Sequence, residues 1–204
     1  MPPAWLPFAA LAFIVAASAA RVWSVERAHN IKAFSFGRHA ALQGLAERHW
    51  KFAVVTAFAL AAISWLAPEW EAQLGRVAAA QGVRQWVASA LFALSALIIV
   101  TAQMQMGASW RVGVPKEGPG ALVTHGLFAW SRNPIFVGLL GAMLALFVWS
   151  PHILTAALLA AIWTLALVQV RIEEEALREK HGDNYEYYAA HVGRWFGRRA
   201  FHRC

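Results

Sequence analysis

Residues 133–170, NPIFVGLLGAMLALFVWSPHILTAALLAAIWTLALVQV, decide the fold of this chain, because they run for 38 residues without a charge. At about 1.5 Å per residue, one helix of this length would be about 57 Å long, almost twice the hydrocarbon core of a bilayer. Ser150-Pro151 lies near the middle, and proline disrupts a helix interior because it lacks an N–H and clashes with the preceding turn. The stretch therefore predicts two membrane-spanning helices, at about 134–149 and 152–170, joined by a tight turn.

Three further stretches without charge lie at 1–20, 52–68 and 85–110. Each is close to the length of about 20 apolar residues that a membrane helix needs. The composition agrees, with 59% hydrophobic and 14% charged residues, whereas soluble domains have about 25% charged residues. The sequence thus predicts an all-α integral membrane protein with about five transmembrane helices, the first three at about 4–21, 51–67 and 85–104.

The basic residues are distributed unevenly between the two sides of the predicted bundle. The connections at 21–51 and 105–133 and the tail from 171 hold six, three and seven Lys or Arg, whereas the opposite side holds only Arg76 and Arg84. By the positive-inside rule the N-terminus lies outside and the C-terminal helical segment lies in the cytoplasm. We expect a bacterial inner-membrane protein whose net charge of +7 favours anionic lipid headgroups as partners, and no nucleic acid.

Neither cysteine nor histidine forms a pattern typical of a metal site. The single cysteine is Cys204, which excludes a disulfide framework within the chain. His29, His39 and His49 recur every ten residues, which is not a helical period, and no acid or thiol accompanies them at ligand spacing. We predict no metal, and the absence of basic residues from MPPAWLPF argues against a cleaved signal peptide.

Two segments at the open end of the predicted hairpin carry the functional signal: GALVTHGLFAWSRNPIFVG (120–138) and QVRIEEEALREKHGDNYEYY (169–188). A hairpin returns both segments to one side, so we expect Arg132 and Glu173 to be neighbours. Pro134 is suited to the first turn of a helix, whose open amides favour an anionic group. Carboxylates accept hydrogen bonds from hydroxyl or ammonium groups. A zwitterionic small molecule with hydroxyl groups would satisfy both, although the glutamates could also simply mark where a helix meets water.

The two segments resemble the isoprenylcysteine carboxyl methyltransferase family, whose C-terminal half is shared by the related phospholipid N-methyltransferases. The resemblance covers about 85 residues and implies an integral membrane enzyme that uses S-adenosyl-L-methionine. It implies methyl transfer to a lipophilic or prenylated acceptor at the cytoplasmic face, most like isoprenylcysteine carboxyl O-methylation. The matching residues are Leu122, Val123, Thr124, Gly126, Phe128, Arg132, Asn133, Pro134, Phe136, Gly138, Glu173, Glu174, Leu177, Gly182, Tyr185 and Tyr188.

The same resemblance implies the site residues. The catalytic candidates are Arg132 and Glu173, and Glu174 is a weaker cofactor candidate beside Glu173. The remaining cofactor-binding candidates fall into two groups. Backbone contacts would come from Gly120, Ala121, Leu122 and Val123, and a mainly apolar wall would come from Phe128, Asn133, Pro134, Ile135 and Phe136. We interpret 1–204 as one membrane domain, with three spans in 1–104 and the cofactor-binding loop, helical hairpin and C-terminal catalytic segment in 105–204.

The chain departs from the family pattern at several positions. Asn133 replaces the usual histidine, while Phe128 and Phe136 replace tyrosines and keep the aromatic wall without its hydroxyls. The arginine that serves the substrate, four residues before the glutamate pair, is Gln169 here, and the nearest arginine is Arg171. Gln169 and Arg171 are therefore the substrate-binding candidates, and the change leaves isoprenylcysteine open as the acceptor.

Three other functions fit parts of the pattern. An NADPH-dependent membrane reductase of the sterol-reductase kind shares a similar C-terminal half, but it lacks the glutamate pair in this register. Phospholipid amine N-methylation would use the same cofactor, and a non-enzymatic membrane protein would need none. Nothing in the apolar spans identifies a lipid headgroup, so the sequence does not distinguish methylation of oxygen, nitrogen or sulfur.

Overall fold

The computed structural model describes residues 1–29, 41–73, 81–111 and 118–197. Cys204, His39 and Arg76, which entered the predictions above, lie outside these ranges. Every regular secondary-structure element within these ranges is a helix, which confirms the all-α prediction. Two of them are short 3₁₀ turns, at Gly107–Ser109 and Gly126–Ala129. The helices are α1 (Leu6–His29), α2 (Ala41–Leu66), α3 (Pro68–Gln73), α4 (Gln81–Met106), α5 (Pro134–Trp149), α6 (Ile153–His181) and α7 (Asp183–His191).

Five apolar helices correspond to the five predicted spans. Four of them, α1, α2, α4 and α6, are long and apolar enough to cross a membrane. The fifth, α5, has 16 residues and is therefore only about 24 Å long, less than the hydrocarbon core of about 30 Å. Conversely, α6 continues past the predicted span to His181 and carries the acidic stretch with it, and Gly182 follows its end. The length and apolar composition of these helices identify the chain as an integral membrane protein.

The predicted turn between α5 and α6 is closed by side chains. The Thr155 hydroxyl donates to the Ser150 carbonyl at 2.7 Å, and the His152 amide donates to the same hydroxyl at 3.2 Å. In return, the Thr155 amide donates to Nδ1 of His152 at 3.3 Å, which completes a capping box at the start of α6. These groups are buried, so the turn satisfies polar backbone atoms that lipid could not.

The helices surround one apolar core. α5 packs between α4 and α6, α1 packs against α4, and α2 packs against α6 with a smaller contact to α5. Alanine is frequent where the helices meet, since a small side chain allows helix backbones to approach closely. The buried core residues are Leu11, Ile14, Ala53, Ala57, Leu60, Ala61, Phe92, Ile99, Ala142, Met143, Ala145, Leu146, Leu158 and Ile162.

The contact between α4 and α5 depends on two glycines. A Cβ atom at Gly138 would lie 2.5 Å from Cγ1 of Ile99 and 3.0 Å from the Ser95 carbonyl oxygen, and one at Gly141 would lie 2.6 Å from the Ser95 hydroxyl. A methyl group at Gly138 would force the Ile99 side chain to move and would press on the Ser95 carbonyl of α4. The start of α5 is thereby held against α4.

The end of the bundle where α5 begins, here called the site end, is held by polar contacts. Arg21 of α1 donates to the carbonyl of Gly107 at 2.9 Å, and Gln103 of α4 donates to the Ser18 hydroxyl at 2.8 Å. Oε1 of Gln105 accepts from the Leu127 amide at 2.8 Å, which ties the chain just before α5 to the end of α4. The first and fourth helices therefore fix the depth at which α5 starts.

We predict that Gly138→Ala destabilises the protein by about 1–3 kcal/mol, the range typical of overpacked cores. The matched control is Gly44→Ala in α2, where a Cβ would meet nothing within 4 Å. That change should be neutral or stabilise the helix by up to about 1 kcal/mol, because alanine is the better helix former. Thermal unfolding of both variants in the same detergent measures the difference. Equal melting midpoints would contradict the packing argument.

Candidate functional site

Glu174 lies at the centre of a buried ion cluster at the site end. Its side chain is 3% exposed, and its two oxygens meet both arginines of the cluster. Arg194 donates twice, from Nε to Oε1 at 3.0 Å and from Nη2 to Oε2 at 2.7 Å, while Nη2 of Arg132 lies 3.2 Å from Oε1. The bond to Glu174 raises the pKa of Arg194 above its ordinary value. A buried carboxylate is stable only with such partners. Through these contacts Glu174 connects α6 to Arg132, which precedes α5, and to Arg194, which follows α7.

Residues 183–197, here called the C-terminal segment, are held against the chain that leads into α5. Nη1 of Arg132 donates to the Tyr185 hydroxyl at 3.1 Å, and the Tyr188 hydroxyl donates to the Phe128 carbonyl at 2.7 Å. Burial raises the pKa of Tyr188 above its ordinary value, so its hydroxyl stays protonated and able to donate. Both tyrosines are buried, and Leu122 and Leu177 pack beside them.

Backbone bonds continue this attachment beyond α7. The Arg132 amide donates to the Gly193 carbonyl at 3.0 Å, and the Gly197 amide donates to the Trp130 carbonyl at 2.8 Å. Nδ2 of Asn133 donates to the carbonyl of Arg194 at 3.1 Å. The amide that replaces the family's histidine is therefore used to hold the C-terminal segment.

Glu173, the residue before Glu174, has a different environment. It is partly buried, and its hydrogen-bond partner among the described residues is neutral: Nε2 of Gln169 donates to its Oε1 at 2.9 Å. Gln169 is 3% exposed, and its own Oε1 is buried without a partner in the described part of the chain. The pair thus presents acceptor atoms whose hydrogen-bonding capacity is not filled, which is unusual for buried polar groups.

The loop before α5 is held over the end of α6. Nε2 of His181 lies 2.9 Å from the Gly120 carbonyl oxygen, and Nζ of Lys180 donates to the Pro119 carbonyl. On its other side the loop presses on the chain after α4, because a Cβ at Gly120 would lie 2.7 Å from Cα of Ser109. Only glycine allows this approach, and the predicted backbone contact of Gly120 with a cofactor stays a prediction.

The predicted wall residues do not form one continuous surface but pack against different parts of the chain. Phe128, Asn133 and Pro134 are buried, and the first two contact the C-terminal segment. Ile135 packs against Val25 and Trp110 instead. The Phe136 ring faces α2, with its centroid 6.0 Å from that of Trp50. Other predicted residues differ in exposure: Leu122 and Val123 are partly buried, whereas Ala121 and Arg171 are exposed.

The predicted meeting of α5 with the acidic stretch is present, but Arg132 pairs with Glu174 and not with Glu173. Sequence reasoning missed Arg194, Lys180 and His181. The signal for Arg194 was weak, since it lies in an aromatic and basic tail typical of a membrane interface. The two glycines that flank it, Gly193 and Gly197, were the available hint of a folded segment.

A family model described as phospholipid methyltransferase matches residues 83–184, half of the chain. The chain belongs to the phospholipid methyltransferase family. The match begins near the start of α4, ends just after α6, and includes both segments that carried the resemblance. A comparison with curated proteins finds no match. Family membership makes the chain a membrane methyltransferase of the phospholipid and isoprenylcysteine kind.

We predict opposite effects for the two adjacent glutamates on stability. Glu174→Gln leaves Arg132 and Arg194 without their shared counter-charge and should destabilise by about 3–5 kcal/mol, as for other broken buried ion pairs. Glu173→Gln removes a partly buried charge that has no cationic partner among the described residues, so the melting midpoint should stay or rise slightly. Thermal unfolding in detergent tests both. A loss of similar size in the two variants would contradict this division.

Proposed function

We propose that this chain transfers the methyl group of S-adenosyl-L-methionine to a membrane lipid at the site end of the bundle. The observation that carries the proposal is the environment of Glu173. Its neighbour Glu174 is paired with two arginines, whereas Glu173 and Oε1 of Gln169, which has no partner among the described residues, remain as acceptors. The family match supports methyl transfer as the reaction.

The donor groups of S-adenosyl-L-methionine fit these acceptors. Its α-ammonium and ribose hydroxyls are hydrogen-bond donors, and a carboxylate binds a charged donor more strongly than a neutral one. Glu173 would hold such a donor with Gln169 beside it, so we assign Gln169 to the same group of contacts as Glu173. The loop at Gly120, fixed by His181, would lie close enough for backbone contacts.

When bound, the sulfonium supplies an already activated methyl group, so the protein has to align the two reactants and exclude water. We propose that Arg132 contributes by position, because both terminal nitrogens of its guanidinium are already engaged with Glu174 and Tyr185. Arg132 would hold the first turn of α5 in place without touching the reacting atoms. Glu173 would orient the soluble reactant.

For the acceptor, we favour a lipid amine, although an isoprenylated cysteine carboxylate also fits the resemblance. A carboxylate acceptor would be held best by a cation. The position where the family has that cation is Gln169, and Arg171 is exposed. The family match, whose description names phospholipids, points the same way.

The reductase alternative has less support. NADPH carries phosphates that need cationic contacts, but Arg132 and Arg194 are committed to Glu174. Methyl transfer needs no such cations. We keep the predicted orientation, with the site end in the cytoplasm of a bacterium, as part of the proposal, because a soluble cofactor must reach the site from that side.

The test is calorimetric titration of the detergent-purified protein with S-adenosylhomocysteine. We expect micromolar binding, weakened at least about tenfold by Glu173→Gln, which corresponds to about 1.4 kcal/mol. Glu175→Gln is the matched control, since Glu175 is exposed on the same helix, and it should bind like the parent. Absence of heat from folded parent protein, or binding of NADPH in its place, would overturn the proposal.

A further inference from the structure

A second partly enclosed carboxylate lies on α2. Glu47 is 7% exposed, although the start of a membrane helix offers water nearby. The residue before it, Ala46, is also buried and begins the face of α2 that continues through Ala53, Ala57 and Leu60 into the core. Charged residues are rarely buried unless they are paired or functional, so this position requires an explanation.

The position of Glu47 relative to α5 follows from the ring contact between Trp50 and Phe136. Glu47 precedes Trp50 by three residues, about 4.5 Å along the helix axis, and Asn133 precedes Phe136 by the same interval. α2 starts at the site end, because its last turns pack on the first turn of α1 through Trp65 and Phe8. Glu47 therefore lies at about the depth of the first turn of α5.

The partner of Glu47 does not account for its burial. Nζ of Lys51 lies 2.6 Å from Oε1 of Glu47, but the Lys51 side chain is 63% exposed while that of Glu47 is 9% exposed. An i,i+4 pair with an exposed lysine contributes only about 0.3–0.5 kcal/mol, less than the cost of enclosing a carboxylate. Glu47 is thus an enclosed carboxylate whose ion-pair partner among the described residues, Lys51, lies on its exposed side.

We propose that Glu47 binds the ammonium group of the acceptor lipid and accepts its proton. This inference rests on the proposed function and adds the residue that selects the acceptor. The two carboxylates would then serve different reactants: Glu173 the soluble one from α6, and Glu47 the lipid from α2. The Trp50 and Phe136 rings, which meet between α2 and α5, would form an apolar boundary beside the headgroup.

The chemistry requires such a residue, because a protonated amine has no lone pair with which to attack. Glu47 takes one proton from the ammonium and becomes a neutral carboxylic acid. The free amine nitrogen then forms the new bond to the methyl carbon as the carbon–sulfur bond breaks, and that electron pair stays on sulfur. The product is a methylated ammonium and a neutral thioether, and Glu47 releases its proton to water on the side of Lys51. General-base assistance of this kind is typically worth on the order of 100-fold or more in rate.

The experiment compares Glu47→Gln with Lys51→Gln, which breaks the same ion pair from its exposed side. The acceptor is phosphatidylethanolamine in phosphatidylglycerol vesicles. We expect kcat/KM for the lipid to fall on the order of 100-fold in Glu47→Gln and to stay within about threefold in Lys51→Gln. Affinity for S-adenosylhomocysteine should be unchanged in both, since neither residue touches Glu173.

A binding readout separates acceptor recognition from rate. With S-adenosylhomocysteine bound, Glu47→Gln should retain less fluorescent phosphatidylethanolamine than the parent, and equal amounts of fluorescent phosphatidylglycerol. Equal defects in Glu47→Gln and Lys51→Gln would overturn the inference, because they would reduce Glu47 to one half of an ion pair. Methylation of an isoprenylated cysteine carboxylate with none of the amine lipid would also overturn it, while leaving methyl transfer intact. Failure of the parent to bind S-adenosylhomocysteine would instead reject the proposed function itself.

Discussion

The ion cluster around Glu174 is the constraint on which the site end depends. One buried carboxylate connects three parts of the chain: α6, Arg132 just before α5, and Arg194 of the C-terminal segment. Two cations around one anion leave a net positive charge, which the Tyr185 hydroxyl helps to accommodate by accepting from Arg132. Because enclosed charges tolerate little displacement, the cluster sets the distance between α5 and α6 at the end where they would otherwise separate.

As a consequence, two neighbouring glutamates of α6 have different hydrogen-bond partners. Successive positions on a helix point about 100° apart, so Glu173 and Glu174 face different surroundings although their chemistry is identical. Glu174 faces Arg132 and Arg194, whereas Glu173 faces Gln169. The cluster thereby supports a neighbouring carboxylate whose hydrogen-bond partner among the described residues is a neutral amide, so that it can still accept further hydrogen bonds.

Much of the fold was predictable because membranes impose simple rules. Gaps in the distribution of charge predicted five helices, and Ser150-Pro151 predicted the turn that the structure closes with Thr155. The site was predictable only as two segments that meet. Which glutamate would pair with Arg132 depends on the rotation of α6, and the role of Arg194 depends on a fold of the tail across about 60 residues of sequence, neither of which local pattern encodes. The enclosure of Glu47 was hidden for the same reason, since the residues that follow it, Arg48 and His49, are polar.

The shortness of α5 has a consequence for the surrounding lipid. A helix about 6 Å shorter than the hydrocarbon core creates a hydrophobic mismatch, which a bilayer relieves by thinning locally. Headgroups beside α5 would then sit deeper than in the undisturbed leaflet, nearer to Pro134 at its first turn. An acceptor lipid could bring its polar group to the reactive depth while its tails stay in the bilayer. The deformation of the membrane would thus contribute to positioning the substrate, a task that a soluble enzyme performs by removing its substrate from water.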